Sequence, residues 1–170
     1  MTMKRGKSST EKKTAESIAT QFGNAVEEAE FLALKMGFQA LKKSEGKDKI
    51  SCADNRKLLG SVNIDDDCRQ AYPNSSRWDY LVGISQGNKP VAHYIEVHTA
   101  NSREVSRLKK KLRWLKDFVA AQEKLHMLDA KYYWVASGRI KIPSHTPQYR
   151  ALVALRKQGL TGPVKSLTLL

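Results

Sequence analysis

Two β-rich runs around a short turn constrain this chain more than any other stretch. Arg77-Trp78-Asp79-Tyr80-Leu81-Val82-Gly83-Ile84 and Val91-Ala92-His93-Tyr94-Ile95-Glu96-Val97-His98 flank Ser85-Gln86-Gly87-Asn88-Lys89-Pro90, the pattern of an antiparallel hairpin. A turn centred on Gly87 and Asn88 pairs Ile84 with Val91 and, counting back, sets Asp79 opposite Glu96. Successive strand residues alternate faces, so Asp79, Glu96 and His98 share one face while Ile95 and Val97 point the other way, into a core. Two carboxylates directly opposed in a sheet repel by about a few tenths to 1 kcal/mol. A divalent cation between them would remove the conflict. His93 falls on the face opposite Glu96 and is expected to play no part, and His126 and His145 have no visible partners.

The chain after the hairpin is strongly basic. Asn101 with Glu104 three residues on reads as a capping box, and Val105, Leu108, Leu112, Leu115 and Val119 follow as one apolar stripe of a helix reaching roughly Lys124. Arg103, Arg107, Lys109, Lys110, Lys111, Arg113 and Lys116 occupy its remaining positions. Lys131 to Gly138, rich in aromatic and β-branched residues, reads as a strand, its aromatics mainly core. Strand, helix, strand in this order implies a crossover, with the new strand parallel to the one carrying Glu96. Ile140 to Pro147 reads as a loop, Gln148 to Gln158 as a short helix, and Val164 to Leu169 as a last strand.

Before the hairpin, Ile18, Phe22, Ala25, Ala29, Leu32 and Met36 recur at helical spacing, so one long helix or two are expected over Thr10 to Lys43, with a break or bend near Gly37. Glu27, Glu28 and Glu30 read as a solvated face of that helix, the sharper alternative being one glutamate beside the metal. Ser44 to Asn55 reads as a loop and Lys57 to Ile64 as a weak strand. Asp65-Asp66-Asp67 lacks the alternating ligands and closing glutamate of a calcium loop and is expected to be a solvated turn. Residues 1–9 are expected to be a flexible basic arm and 10–170 a single domain.

The net charge of +13, from 30 basic and 17 acidic residues, points to a polyanionic partner, DNA or RNA most simply, with an anionic membrane surface as the competitor. The first thirteen residues account for only +4 of it, and no acidic residue follows Asp129. No apolar run is long enough to span a membrane and no hydrophobic signal core follows the first residues, so a cytoplasmic protein is expected. Cys52 and Cys68 lack zinc-site spacing and read as free or buried thiols.

In element order this is helix, weak strand, the strand carrying Asp79, the strand carrying Glu96-Val97-His98, helix, strand. The chain thereby resembles the PD-(D/E)XK nuclease superfamily, whose core is αβββαβ with an acidic residue on the second strand and E-x-K on the third. The resemblance covers roughly Glu27 to Gly138 and rests on Asp79 and the Glu96-Val97-His98 triplet. It implies an α/β fold, a restriction-endonuclease-like core with a mixed sheet flanked by helices, extended here by a C-terminal helix and strand. It further implies that Asp79, Glu96 and the Val97 carbonyl bind Mg²⁺ or Mn²⁺ for phosphodiester hydrolysis. His98 stands where the family has lysine. Either it positions or deprotonates the water, or Lys89 or Lys131 supplies the missing charge, or catalysis is lost and only binding remains. Lys109, Lys110 and Arg113 are the expected contacts to the nucleic-acid backbone. Three functions are therefore expected in descending order: a metal-dependent nuclease, an inactive nucleic-acid-binding module on the same fold, and a basic adaptor for an acidic protein.

Overall fold

A computed structural model describes residues 8–170, with side chains from Ser17 onward apart from Glu45. Residues 1–7 of the expected basic arm lie outside the described residues. The fold is α/β: a five-stranded mixed sheet in the order β2-β3-β4-β5-β6, flanked by helices. Its centre is the hairpin of β3 (Tyr80–Gln86) and β4 (Lys89–His98), closed by Gly87 and Asn88 with Ile84 opposite Val91. On one side β2 (Leu58–Asn63) adds antiparallel to β3. On the other, β5 (Asp129–Ala136) lies parallel to β4 after the crossover helix α3 (Glu104–Ala120), and β6 (Leu160–Val164) lies parallel to β5.

The alternation of the strands sorts their residues onto two buried faces. Leu81, Ala92, Tyr94, Trp134 and Ala136 pack beneath Phe22, Ala25 and Val26 of α1 (Ser8–Glu28), and beneath Leu108, Leu112 and Leu115 of α3. Tyr80, Val82, Ile84, Ile95 and Val135 face the other way, against Ala40, Leu41, Ile50 and Leu169. That second layer contains a two-stranded parallel pair, β1 (Ile50–Cys52) with β7 (Leu167–Leu169). The sheet is covered on both sides, so its central strands read as nearly continuous apolar runs.

The first helix is shorter than its periodicity suggests. It ends at Glu28, and the chain reverses through Phe31, which adopts φ 71°. Leu32 to Met36 then runs as irregular chain whose Lys35 N–H and carbonyl pair with Ser61 on β2, at 2.8 and 2.9 Å. These tertiary hydrogen bonds override the helical spacing of Leu32 and Met36, and Met36 is left 79% exposed.

Further differences arise from the polar residues near element ends. Asp65, Asp66 and Asp67 sit in a one-turn helix α2 (Ile64–Cys68), not in an open turn, because Asn63 caps it by accepting from the Asp66 N–H at 2.9 Å. Asn101 accepts from Arg103 N–H, and no side-chain cap precedes Glu104, so the expected capping box does not form. Glu104 turns instead to His98 and Arg107. After Ala120 the helical stretch breaks before a one-turn helix α4 (Glu123–His126). Helix α5 (Pro147–Lys157) is capped by Thr146, whose hydroxyl accepts from the Tyr149 N–H. The expected last strand is two: β6 extends the main sheet, and β7 crosses to β1. The expected loop from Ser44 to Asn55 holds β1 and 3₁₀ turns at Lys43–Glu45 and Lys47–Lys49.

Candidate functional site

Asp79 immediately precedes β3, and the ladder's last pair, Tyr80 with Ile95, leaves it next to Glu96. Each of the two acids uses one carboxylate oxygen to close the end of the hairpin. Glu96 Oε2 accepts from the Asp79 N–H at 3.1 Å, and Asp79 Oδ2 accepts from the Val97 N–H at 2.9 Å. Their other oxygens face a single ammonium. Lys111 Nζ ion-pairs directly with Glu96 Oε1 and lies 3.9 Å from Asp79 Oδ1.

This ammonium comes from α3, at a position the amphipathic reading assigns to the helix's outer face. Lys111 is three residues after Leu108 and four before Leu115, both buried against the sheet, so helical geometry sets it on the buried stripe. Its side chain is 16% exposed and that of Glu96 is fully buried. A lysine within an apolar stripe is the signal that would have marked it. The two lysines expected to serve are placed elsewhere. Lys89 ion-pairs with Asp129 at the far end of β4, and Lys131 stands opposite His93.

The charges in this pocket do not balance. Two carboxylates around one ammonium leave a net negative charge when all three are ionised. Burial pushes the Glu96 carboxyl well above its ordinary range, and the Asp79 charge adds to the effect, with Lys111 opposing it. Burial alone would lower the Lys111 ammonium, but the two carboxylates raise it above its usual value. The pocket therefore favours an added positive charge, whether a proton on Glu96 or a second cation.

Two carboxylate oxygens from neighbouring chain segments converging on one position form a hard donor set that suits Mg²⁺ or Mn²⁺. Among the described residues no group of three or more His, Cys, Asp or Glu side chains gathers as a metal cage. Magnesium often needs only one or two carboxylates, completing its shell with water and substrate phosphate. Asp79 and Glu96 thus fit such an ion, provided Lys111 yields part of the space it occupies.

His98 is on the same strand face as Glu96, and its ring is held by another acid. His98 Nε2 lies 2.7 Å from Glu104 Oε2, which Arg107 approaches at 3.4 Å. The Val97 backbone is tied into the pair through its N–H. His93 is buried on the opposite face, its Nδ1 3.0 Å from the Tyr133 hydroxyl, and burial together with nearby Lys131 lowers it to about 4.

Lys109, Lys110 and Arg113 are exposed on the outside of α3 and have no ion pair among the described residues. Two acids of the aspartate cluster are matched with cations, Asp65 with Arg69 and Arg77 and Asp66 with Lys42 and Arg69, while Asp67 accepts from the Ala33 N–H at 2.9 Å. Glu28 of α1 pairs with Lys124 across the surface and not with the pocket. Cys52 and Cys68 are free thiols, and burial pushes the Cys68 thiol up to about 12.

No protein-family model matches the chain, and no curated protein or solved structure matches it significantly. Among the described residues no helix is long and apolar enough to cross a membrane.

Proposed function

We propose that this chain is a metal-dependent nuclease of PD-(D/E)XK type, hydrolysing phosphodiester bonds in nucleic acid. The observation that carries this reading is the convergence of Asp79 Oδ1 and Glu96 Oε1 on the Lys111 ammonium. The main-sheet strands with their two long helices, α1, β2, β3, β4, α3, β5, support it, since with the three-residue β1 and the one-turn α2 set aside they follow the αβββαβ order of that superfamily.

In this reading Asp79 and Glu96 would hold Mg²⁺ or Mn²⁺. Such an ion, when bound, polarises a phosphoryl oxygen and lowers the pKa of its water. The hairpin's backbone N–H groups fix the other oxygen of each acid, so both carboxylates are held in place before substrate arrives. Lys111 supplies the positive charge that the family places two residues after the glutamate. Anchored on the helix, its ammonium can move from the carboxylates toward a phosphate and balance the charge that develops there. His98, oriented by Glu104, borders the site as a water-positioning group. Lys109, Lys110 and Arg113 contact the nucleic-acid backbone, giving affinity without sequence information.

The direct Lys111–Glu96 ion pair favours a second reading, because the ammonium already fills the place of a cation. In that case the fold binds nucleic acid and has lost the chemistry. Incubation of DNA and RNA substrates with Mg²⁺ or Mn²⁺ separates the two. A nuclease cleaves only with the divalent ion, and Glu96→Gln abolishes cleavage while salt-sensitive binding persists. Cleavage that survives Glu96→Gln removes the site assignment, and binding without cleavage under any divalent ion leaves the second reading.

A further inference from the structure

We propose that a cleft at the C-terminal end of β4, on the sheet face opposite the carboxylate pair, binds a phosphate group of the nucleic-acid strand. The cleft encloses about 290 Å³ between the chain at 43–49 and the C-terminal ends of β4 and β5. This rests on the nucleic-acid reading above, and it adds a second contact point for the same strand.

The cleft's outer wall is anchored to both strand ends. Gly46 adopts φ 89° and lies so close to β4 that a Cβ there would stand 2.6 Å from Val97 Cγ1, which only glycine avoids. Three residues later, Lys49 Nζ donates to the Ala136 carbonyl, the last residue of β5, at 2.9 Å. The two 3₁₀ turns on either side of Gly46 are thereby held over the strand ends.

What lines the cleft is suited to an oxyanion. Lys43 and Lys49 contribute ammonium groups, and Ser44, Thr99 and Ser137 contribute hydroxyls, with Asp48 the one carboxylate among the lining residues. Among the described residues neither lysine has an acidic partner, and none of the three hydroxyls is committed to a hydrogen bond. Each hydroxyl and ammonium can therefore donate to a phosphate oxygen. The volume exceeds that of orthophosphate and admits the sugar attached to it.

The position relates the cleft to the chemistry. Val97 and His98 form its inner wall, and Val97 is the residue whose N–H Asp79 accepts. Val97 directly follows Glu96 on β4, but its side chain points to the opposite face of the sheet, so the cleft opens at the strand ends on the face away from the carboxylates. A nucleic-acid strand laid across the C-terminal ends of β4 and β5 meets Lys43 and Lys49 on that face.

The test needs neither metal nor turnover, so its outcome is separate from that of the nuclease reading. Amide chemical shifts of the full chain are followed by NMR in EDTA during titration with a nucleoside 5′-monophosphate, its unphosphorylated nucleoside twin and inorganic phosphate. The phosphorylated probe is expected to shift Gly46, Thr99 and Ser137, and inorganic phosphate to shift the same amides more weakly. The unphosphorylated twin is expected to bind less tightly. Lys43→Ala is expected to weaken the phosphorylated probe roughly tenfold, the scale of one charge-assisted hydrogen bond. Lys43 is exposed and makes no side-chain hydrogen bond or ion pair among the described residues, so an unchanged melting temperature verifies that the variant folds. Ser137→Ala gives an independent second variant. Shifts confined to α3, equal affinity for the phosphorylated and unphosphorylated probes, or affinity unchanged in both variants would overturn the proposal.

Discussion

Lys111 leaves α3 toward the sheet, and its ammonium is the counter-charge for two carboxylates that would otherwise repel. Removing it by Lys111→Met leaves Glu96 buried beside Asp79 with no cation. Breaking a buried pair from one side costs about 3 kcal/mol or more when the orphaned group stays charged. Glu96 escapes part of this cost by binding a proton, and that makes the effect depend on pH. Its carboxyl is raised in the folded chain, so its protonated form contributes stability below the unfolded value, and that contribution is lost as pH rises through the folded value. Lys111→Met raises the folded value further. The variant is therefore expected to lose about 3 kcal/mol near pH 8 and clearly less near pH 5, measured by urea denaturation at both. Equal losses at the two pH values would show that the ammonium acts through packing and not through charge.

At the scale of elements, the contact between α1 and the hairpin is set by a missing side chain. Phe22 is fully buried, and a Cβ on Gly83 would stand 2.5 Å from its Cε1. Gly83→Ala is expected to cost about 1–3 kcal/mol by overpacking. Adding Phe22→Leu is expected to recover part of that loss, so a double-mutant cycle followed by thermal melting gives a favourable coupling. If the two losses simply add, α1 does not sit on β3 through this pair.

The same scale separates what the chain discloses from what it withholds. The hairpin and the stripe of α3 are legible because their signals are local: alternation over a few residues, and Leu108, Leu112 and Leu115 at helical spacing. The end of α1 is not, since Leu32 and Met36 keep the spacing while Lys35 pairs with Ser61, 26 residues away. The pairing of β1 with β7 joins three-residue strands across more than a hundred residues, and strands so short carry no pattern of their own. Asp79 and Glu96 could be set side by side by counting from the turn. Lys111 could not, because its place depends on how α3 docks, and a lysine among five other basic residues of that helix reads first as surface.

Across the whole molecule, basic residues are distributed unevenly with respect to their partners. From Ala130 to Leu170 the chain has Lys131, Arg139, Lys141, Arg150, Arg156, Lys157 and Lys165 and no acidic side chain. With Lys109, Lys110 and Arg113 on α3, these are the charges a polyanion would neutralise. Each phosphate contact on duplex DNA adds about 0.9 to the slope of log affinity against log salt. The combined change Lys109→Ala, Lys110→Ala and Arg113→Ala is expected to lower that slope by about 2–3, read by fluorescence anisotropy over a salt series. A slope that does not change would move the interface away from α3.

The order of strands gives this distribution a direction. Asp54, Asp65 and Asp66 flank β2, at one edge of the sheet, and are matched by Arg56, Arg69, Arg77 and Lys42. The opposite edge is formed by β6, which has no charged residue of its own and takes its positive charge from Lys165 next to it and from Arg156, whose Nε donates to the Gly162 carbonyl at 2.9 Å. A near-neutral edge and a cationic edge on one rigid sheet make an electric dipole across the strands. In the field of any polyanion such a body experiences a torque as well as an attraction, and it rotates during approach. The collision is then oriented before the first contact is made, with the β6 edge leading.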